Sequence, residues 1–160
     1  PYVRDLKPYK CPNVERKIVD SYGWISPPVR TYSIVDSMNC HEAFDRTGVD
    51  AIKKRMQIKN APFRAVFLDD GGTCPSAMGG WTVYTTQWQW WDPPPVRHGD
   101  GTNFSFADGH ADYHKWEDLR TIEMGKRLPP PARTGETQQN NPDLIWSSIA
   151  VWGTEVNRLR

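Results

Sequence analysis

The stretch between Thr102 and Lys115 constrains the fold more than any other part of the sequence, because it predicts a β-hairpin. Residues 102–107 and 110–115 alternate in character and flank Asp108-Gly109, a favoured pair for a two-residue type I′ turn. In that register Phe104 lies opposite Tyr113. One face then carries a predicted core set, Phe104, Phe106, Ala111 and Tyr113, and the other a polar set, Asn103, Ser105, His110, Asp112 and His114.

Other strands and helices are predicted from shorter signals. Residues 32–35 and 64–68 are predicted strands, and the second ends in the turn signal Asp-Asp-Gly-Gly. The β-branched and aromatic run at 82–91 predicts a strand or long hairpin arm, closed by Asp92 and three prolines. Helices are predicted at 49–56, with a basic face, at 117–126, and from the N-cap Asn141 and Pro142 to Gly153.

These elements together predict an α+β fold. We expect a small antiparallel β-sheet domain with a C-terminal hairpin and short helices. The predicted core holds Val66, Leu68, Phe104, Phe106 and Tyr113, and the apolar side of the last helix carries Leu144, Ile145, Ile149 and Trp152.

Composition narrows the classes of function. Hydrophobic residues make up 38% of the chain, which also contains 14 prolines and 8 tryptophans. We therefore expect a small core, loops made rigid by proline, and some tryptophan rings exposed for contact with a partner. A net charge of +1 without a concentrated basic face argues against nucleic-acid binding. The sequence contains no run of about 20 apolar residues that would predict a membrane span.

The cysteines Cys11, Cys40 and Cys74 form an odd set without a Cys-x-x-Cys pair, which disfavours a zinc knuckle. In a secreted protein, one disulfide and one free thiol is the simplest interpretation. The turn-rich surroundings of Cys40 and Cys74 favour that pair, and all three pairings stay open.

The hairpin segment also carries a family resemblance. His98 is followed by nine residues and then by Asp108-Gly109 and His110, and this resembles the signature of prepilin-type proteins named for the His-x9-Asp-Gly pattern. Further pieces match in the same order: Lys10-Cys11-Pro12, the run YSIVDSMN at 32–39, residues 58–62 before the strand ending at Asp69, and, more loosely, residues 141–146.

The resemblance implies a bacterial pseudopilin-like protein with a pilin-like head domain. Such proteins are extracellular or cell-surface filament subunits that associate with identical subunits in a helical polymer. The family's long hydrophobic N-terminal helix has no counterpart in this sequence, so either the chain is partial or it assembles in another way. We expect a pseudopilin-like globular domain at 1–128, and at 129–160 a proline-rich linker with a C-terminal helical extension.

Two sets of side chains are candidates for metal binding. Asp69, Asp70 and Asp100 lie in glycine-rich turns and could hold calcium, which the family resemblance also suggests. His110, Asp112 and His114 would share one strand face, where a solvated polar face is the simpler interpretation. His98 is predicted to anchor its loop by hydrogen bonds to Asp69 or Asp70.

No nucleophile elbow, phosphate loop or metalloprotease motif occurs, so the sequence predicts a structural protein and not an enzyme. The tryptophans are predicted to form subunit contacts, helped by the stiff ridge of the adjoining prolines. The alternative is a secreted carbohydrate-binding module, in which exposed tryptophans stack on the sugars of surface glycans. The predicted interface residues are Trp88, Trp90, Trp91, Trp146 and Trp152.

Overall fold

A computed structural model describes residues 5, 7–13, 18–19, 25–26, 30–39, 48–70, 80–127 and 136–156. Its main sheet has four antiparallel strands in the order β3-β4-β5-β6, and β1 and β2 form a separate antiparallel pair. The described strands are β1 (Ile18–Val19), β2 (Ile25–Ser26), β3 (Tyr32–Ile34), β4 (Ala65–Asp69), β5 (Gly101–Phe106) and β6 (Ala111–Lys115). The helices are α1 (Leu119–Lys126) and α2 (Pro142–Trp152), with 3₁₀ turns at Lys7–Tyr9, Arg55–Gln57 and Ala61–Phe63. The α+β prediction is confirmed.

The described helices include none that is long and apolar enough to cross a membrane.

The best-predicted element is α2. Asn141 caps it by accepting hydrogen bonds from the N–H groups of Asp143 and Leu144, and Gly153 ends it at a φ of 75°. These local signals fix both ends of a helix independently of its tertiary contacts.

The β5–β6 hairpin is present, but its predicted register is wrong by one residue. Phe104 pairs with Asp112, and Asn103 pairs with Tyr113. The N–H of Gly109 donates to the carbonyl of Phe106 at 3.0 Å, and Gly109 alone in the turn has a positive φ. The connection is therefore a three-residue loop, a type I turn with a G1 bulge, because type I′ would need positive φ at Asp108 as well.

A slip of one residue exchanges the two faces of a strand. Tyr113, predicted in the core, lies on the outer face with its hydroxyl donating to the carbonyl of Gly99 at 2.9 Å. His114, predicted on the polar face, turns inward beside Phe104. Phe104 and Leu68 are buried as predicted, whereas Phe106 and Val66 are only partly buried.

Two other predicted elements are wrong. Residues 49–56 form no α-helix beyond the start of the 3₁₀ turn at Arg55–Gln57. The N–H of Ile52 donates instead to the carbonyl of Ser37, and the side chain of Gln57 accepts from the N–H groups of Lys53 and Lys54. Residues 82–91 contain only an isolated bridge between Val83 and Trp90. They form a loop closed by Asp92, whose carboxylate accepts from the N–H of Thr82 at 2.7 Å.

The hydrophobic core is built around tryptophans and prolines. Residues 92–96 are buried, so the predicted proline ridge is not a surface feature. Proline has no N–H, and only its carbonyl needs a partner in the core. The indole N–H of Trp81 donates to the carbonyl of Pro93 at 3.2 Å, and that of Trp116 to Pro95 at 2.6 Å. Each contact satisfies a donor and an acceptor that burial would otherwise leave unpaired.

Helix α2 belongs to this same core. Leu144, Val151 and Trp152 join the cluster that contains Leu68 and Phe104. Of the predicted apolar side, Leu144 and Trp152 are buried, whereas Ile149 is exposed. The helix of the predicted C-terminal extension therefore packs against the sheet.

Candidate functional site

The end of β4 carries a buried carboxylate, Asp69, that organises the loop before β5. One oxygen, Oδ2, lies 2.7 Å from Nε2 of His98, and the other, Oδ1, accepts from the guanidinium of Arg97 at 2.5 Å. The hydroxyl of Thr102 donates to the backbone carbonyl of Asp69 at 2.7 Å. The predicted anchoring of His98 on Asp69 is confirmed, and the buried charge has the partners that burial requires.

Cys11 completes the group, here called the anchor cluster (Cys11, Asp69, Arg97 and His98). Its Sγ lies 3.7 Å from Nε2 of His98, and its N–H donates to the hydroxyl oxygen of Thr31 at 2.6 Å. Burial raises the pKa of the Cys11 thiol, chiefly by desolvation of the thiolate. Sγ and the Asp69 oxygen face the same ring nitrogen, whereas a nucleophile–histidine–carboxylate relay uses both nitrogens. The Cys11 Sγ and the Asp69 Oδ2 therefore converge on Nε2 of His98, and the three side chains do not form a catalytic triad.

The predicted calcium set does not come together. Asp69 is held by Arg97 and His98, Asp70 accepts from the hydroxyl of Ser33, and Asp100 forms an ion pair with Lys126 at 2.6 Å. Among the described residues the acidic and metal-ligating side chains that converge are Cys11, Asp69 and His98. Asp100 has a φ of 64°, so a turn conformation explains its place in the glycine-rich loop.

The other half of the His-x9-Asp-Gly signature forms the hairpin turn. Asp108 accepts from the N–H of His110 at 3.1 Å and lies 2.6 Å from Nδ1 of the same residue. The His110 hydrogen bonds lower the pKa of the Asp108 carboxyl. The ring of His110 stacks on Phe106 at 4.4 Å. His98 and Asp108 therefore have separate partners, and each end of the signature fixes one end of β5.

The structure divides the five tryptophans predicted as contacts. Trp90 and Trp152 are buried, so the prediction that they lie at an interface is wrong for these two. Both indoles donate inward, Trp90 to the Gln138 side chain and Trp152 to the hydroxyl oxygen of Thr82, each at 3.0 Å. Trp88, Trp91 and Trp146 are partly buried. A strand at 82–91 would have alternating faces and would expose Trp90, but this stretch is a loop that turns Trp90 inward.

Trp146 lies in an apolar depression that the sequence did not predict, here called the aromatic groove. The groove has a volume of about 330 Å³ and lies between α2, the hairpin and the Ala61–Phe63 turn. Its walls include Phe63, Phe106, Trp146 and Ile149. Three distant segments supply these side chains, so no single stretch of sequence carries the signal.

His114 forms part of the groove wall. Its ring stacks on Trp146 with centroids 3.6 Å apart and planes 11° from parallel. Its Nε2 is buried and has no hydrogen-bond partner in the described part of the chain. Desolvation lowers the pKa of His114, outweighing the charges of Asp143 and Asp112. The neutral imidazole is thus favoured here and behaves as one more ring in an apolar wall.

A second groove of about 340 Å³ adjoins the first. Phe63 and Ile149 line both grooves and expose 68% and 37% of their surface. They form an apolar ridge between two depressions.

Comparison with protein-family models, with curated proteins and with solved structures finds no match for the chain. Its function is therefore inferred from the residues and their geometry.

Proposed function

We propose that this chain is a structural subunit of an extracellular bacterial pilus-like or pseudopilus-like filament, acting by self-association and not as an enzyme. The observation that carries the proposal is the exposed ridge of Phe63 and Ile149 between two grooves. Contiguous exposed apolar surface marks a site of protein–protein interaction, and aromatic side chains are enriched at the centres of such interfaces.

An open polymer needs two different, complementary surfaces on each subunit. Phe67 supplies the second surface. Its neighbour Leu68 points into the core, and successive strand residues point to opposite faces, so Phe67 projects from the outer face of the sheet, 48% exposed. Ile34 and Ser105 pair with it on either side. We assign the outer sheet face around Phe67 as the partner of the aromatic groove in the next identical subunit.

This head-to-tail arrangement also explains why the two surfaces do not pair within one molecule. The groove lies against α2, on the core side of the sheet, while Phe67 faces away from it. A contact between unlike surfaces leaves one of each free at the two ends of every assembly. Growth of a filament then requires no further contact type.

Sedimentation velocity over a range of concentrations tests the proposal. The chain is expected to associate, and Phe63→Ser or Phe67→Ser is expected to abolish association. Leu119→Ser is the matched control, since Leu119 is 71% exposed and lines neither groove. A mixture of the Phe63→Ser and Phe67→Ser chains should give dimers only, because one intact groove meets one intact outer face.

Two results would contradict the proposal. One is a monodisperse 18.4 kDa chain at the highest attainable concentration. The other is an equal loss of association in the Leu119→Ser control, which would show that exposed apolar residues act without regard to position.

A glycan-binding role is the second candidate. The sequence suggested exposed tryptophans such as Trp88 and Trp90 for this role, and we place the site at the aromatic groove instead. The groove places Trp146 and Phe106 beside the polar side chains of Asp112 and His110, and sugar recognition combines apolar stacking with a few polar contacts. Binding on a glycan array that is lost in Trp146→Ala but kept in Trp91→Ala would favour this candidate. Association without glycan binding would exclude it.

A further inference from the structure

The anchor cluster draws ligand atoms from three separate segments to one point. Cys11 follows the Lys7–Tyr9 turn, Asp69 ends β4, and His98 lies in the turn before β5. The Cys11 Sγ, an Asp69 oxygen and a His98 ring nitrogen all lie within 4.8 Å of one another. We propose that these three side chains form a binding site for a divalent transition metal, zinc in the first instance.

The separations fit a tetrahedral zinc site. With metal–ligand bonds of about 2.0–2.3 Å, neighbouring ligand atoms of a tetrahedron lie about 3.3–3.6 Å apart. The observed distance between the Cys11 Sγ and the His98 Nε2 is 3.7 Å. Nε2 and the Asp69 Oδ2 are closer, at 2.7 Å, because a proton joins them; a metal ion replaces that proton and moves the two atoms apart by about half an ångström.

The chemistry of the donors selects the metal. A thiolate and an imidazole are ligands for zinc and other transition metals, whereas calcium and magnesium prefer oxygen donors alone. The cluster therefore differs in kind from the calcium set predicted in the turns. Binding requires the Cys11 thiol to lose its proton, so uptake of the metal releases protons to the solvent.

Hydrogen bonds with Arg97, Thr31 and Thr102 hold Asp69 and Cys11 in position. Arg97 binds Oδ1 of Asp69, while Oδ2 faces Nε2 of His98, where a metal would take the place of the proton between them. The hydroxyl oxygen of Thr31 accepts from the Cys11 N–H, and that of Thr102 donates to the Asp69 carbonyl. Partners of this kind orient metal ligands. The His98 side chain is 23% exposed while that of Asp69 is 2% exposed, so a metal and a fourth ligand, water, enter from the His98 side.

A metal here would tie the segment around Cys11 to the end of β4 and to the start of β5. These parts are distant in sequence, so the site exists only in the folded chain and metal binding stabilises the folded state. The site is separate from the aromatic groove, so metal binding and self-association can be tested independently of each other.

Cobalt titration of the reduced 160-residue chain tests the site, with Co²⁺ as the spectroscopic stand-in for Zn²⁺. One equivalent is expected to give the near-ultraviolet charge-transfer band of a cobalt–thiolate bond and the intense visible bands of four-coordinate cobalt. Zinc should displace the cobalt and raise the melting temperature. Cys11→Ser should abolish the thiolate band and weaken zinc binding at least about tenfold.

Two controls separate this site from other thiols and imidazoles. The Cys40→Ser/Cys74→Ser double variant and His110→Asn should bind as the unchanged chain does. If Cys11→Ser does not fold by near-ultraviolet circular dichroism, zinc X-ray absorption of the unchanged chain decides, and one sulfur with two protein nitrogen or oxygen ligands is expected. Absence of binding, a thiolate band that survives in Cys11→Ser, or zinc without sulfur ligation would overturn the proposal.

Discussion

The anchor cluster and the aromatic groove each contain a histidine near the open end of the β5–β6 hairpin, and the two histidines are used in opposite ways. At the anchor cluster, His98 is hydrogen-bonded to a buried carboxylate that also binds Arg97. At the aromatic groove, His114 stacks on Trp146 and its buried Nε2 has no partner among the described residues. The anchor cluster pairs the buried carboxylate of Asp69 within the chain, whereas the aromatic groove leaves the ring of Phe63 at the surface. We infer that the anchor cluster stabilises the subunit and the groove serves association.

The largest expected effect comes from breaking the anchor cluster. Asp69→Ala removes the acceptor of both Arg97 and His98 and leaves two donors without their partner. Breaking a buried ion pair from one side costs about 3–5 kcal/mol; because Arg97 and His98 are partly exposed, we expect about 3 kcal/mol from urea unfolding. Asp112→Ala, at an exposed position of β6, should cost about 0.5 kcal/mol. Equal losses would contradict a special role of Asp69.

Gly101→Ala should disturb the start of β5 by about 2 kcal/mol, within the range expected for overpacking. A Cβ atom at this position would lie 2.2 Å from the backbone carbonyl oxygen of His114 and 2.6 Å from the hydroxyl oxygen of Tyr113. The Tyr113 ring can rotate away, but the carbonyl belongs to the paired strand. Combining Gly101→Ala with Tyr113→Ala should therefore recover little of the loss, and full recovery would show that the ring alone makes the contact.

The pH dependence of stability should report the burial of His114 beside Trp146. Burial lowers the pKa of His114 below its ordinary value of 6.5, so the unfolded chain binds the proton more tightly than the folded chain. Its contribution to stability is complete above about pH 6.5 and is lost as the pH falls through the folded pKa. His114→Phe should flatten the fall in unfolding free energy below pH 6.5. An unchanged slope in His114→Phe would contradict the assignment.

The smallest expected effect on stability is that of the ridge itself. Phe63→Ser should change the free energy of unfolding by about 0.5 kcal/mol or less, because its side chain is mostly in solvent. The same change is expected to abolish self-association. This contrast with Asp69→Ala, measured on the same preparations, separates the role in stability from the role in assembly. A large loss of stability in Phe63→Ser would place the residue in the core.

Elements with local signals were predictable from the sequence. Asn141, Pro142 and Gly153 define α2 through capping alone, and β4 is indicated by an apolar run that ends in turn residues. The anchoring of His98 on Asp69 was also predictable, since it joins a strand end to the loop of a neighbouring strand. The signals for α2 and β4 rest on short stretches of chain.

Features that depend on turn geometry or on several segments were not predictable. An Asp-Gly pair permits both a type I′ turn and a type I turn with a bulge, and the choice at Gly109 decides which face His114 and Tyr113 occupy. Trp90 is buried between Trp81 and Trp116, and Gln138, far along the chain, accepts its N–H. The aromatic groove and the place of Cys11 beside His98 likewise arise from tertiary contacts only.

Electron microscopy of the protein from its native source tests the central claim most directly. Regular filaments are expected, with Phe63 and Ile149 of one subunit against the outer sheet face around Phe67 of the next. Monodisperse particles of one chain, or filaments whose subunit contacts leave the aromatic groove open to solvent, would contradict the account.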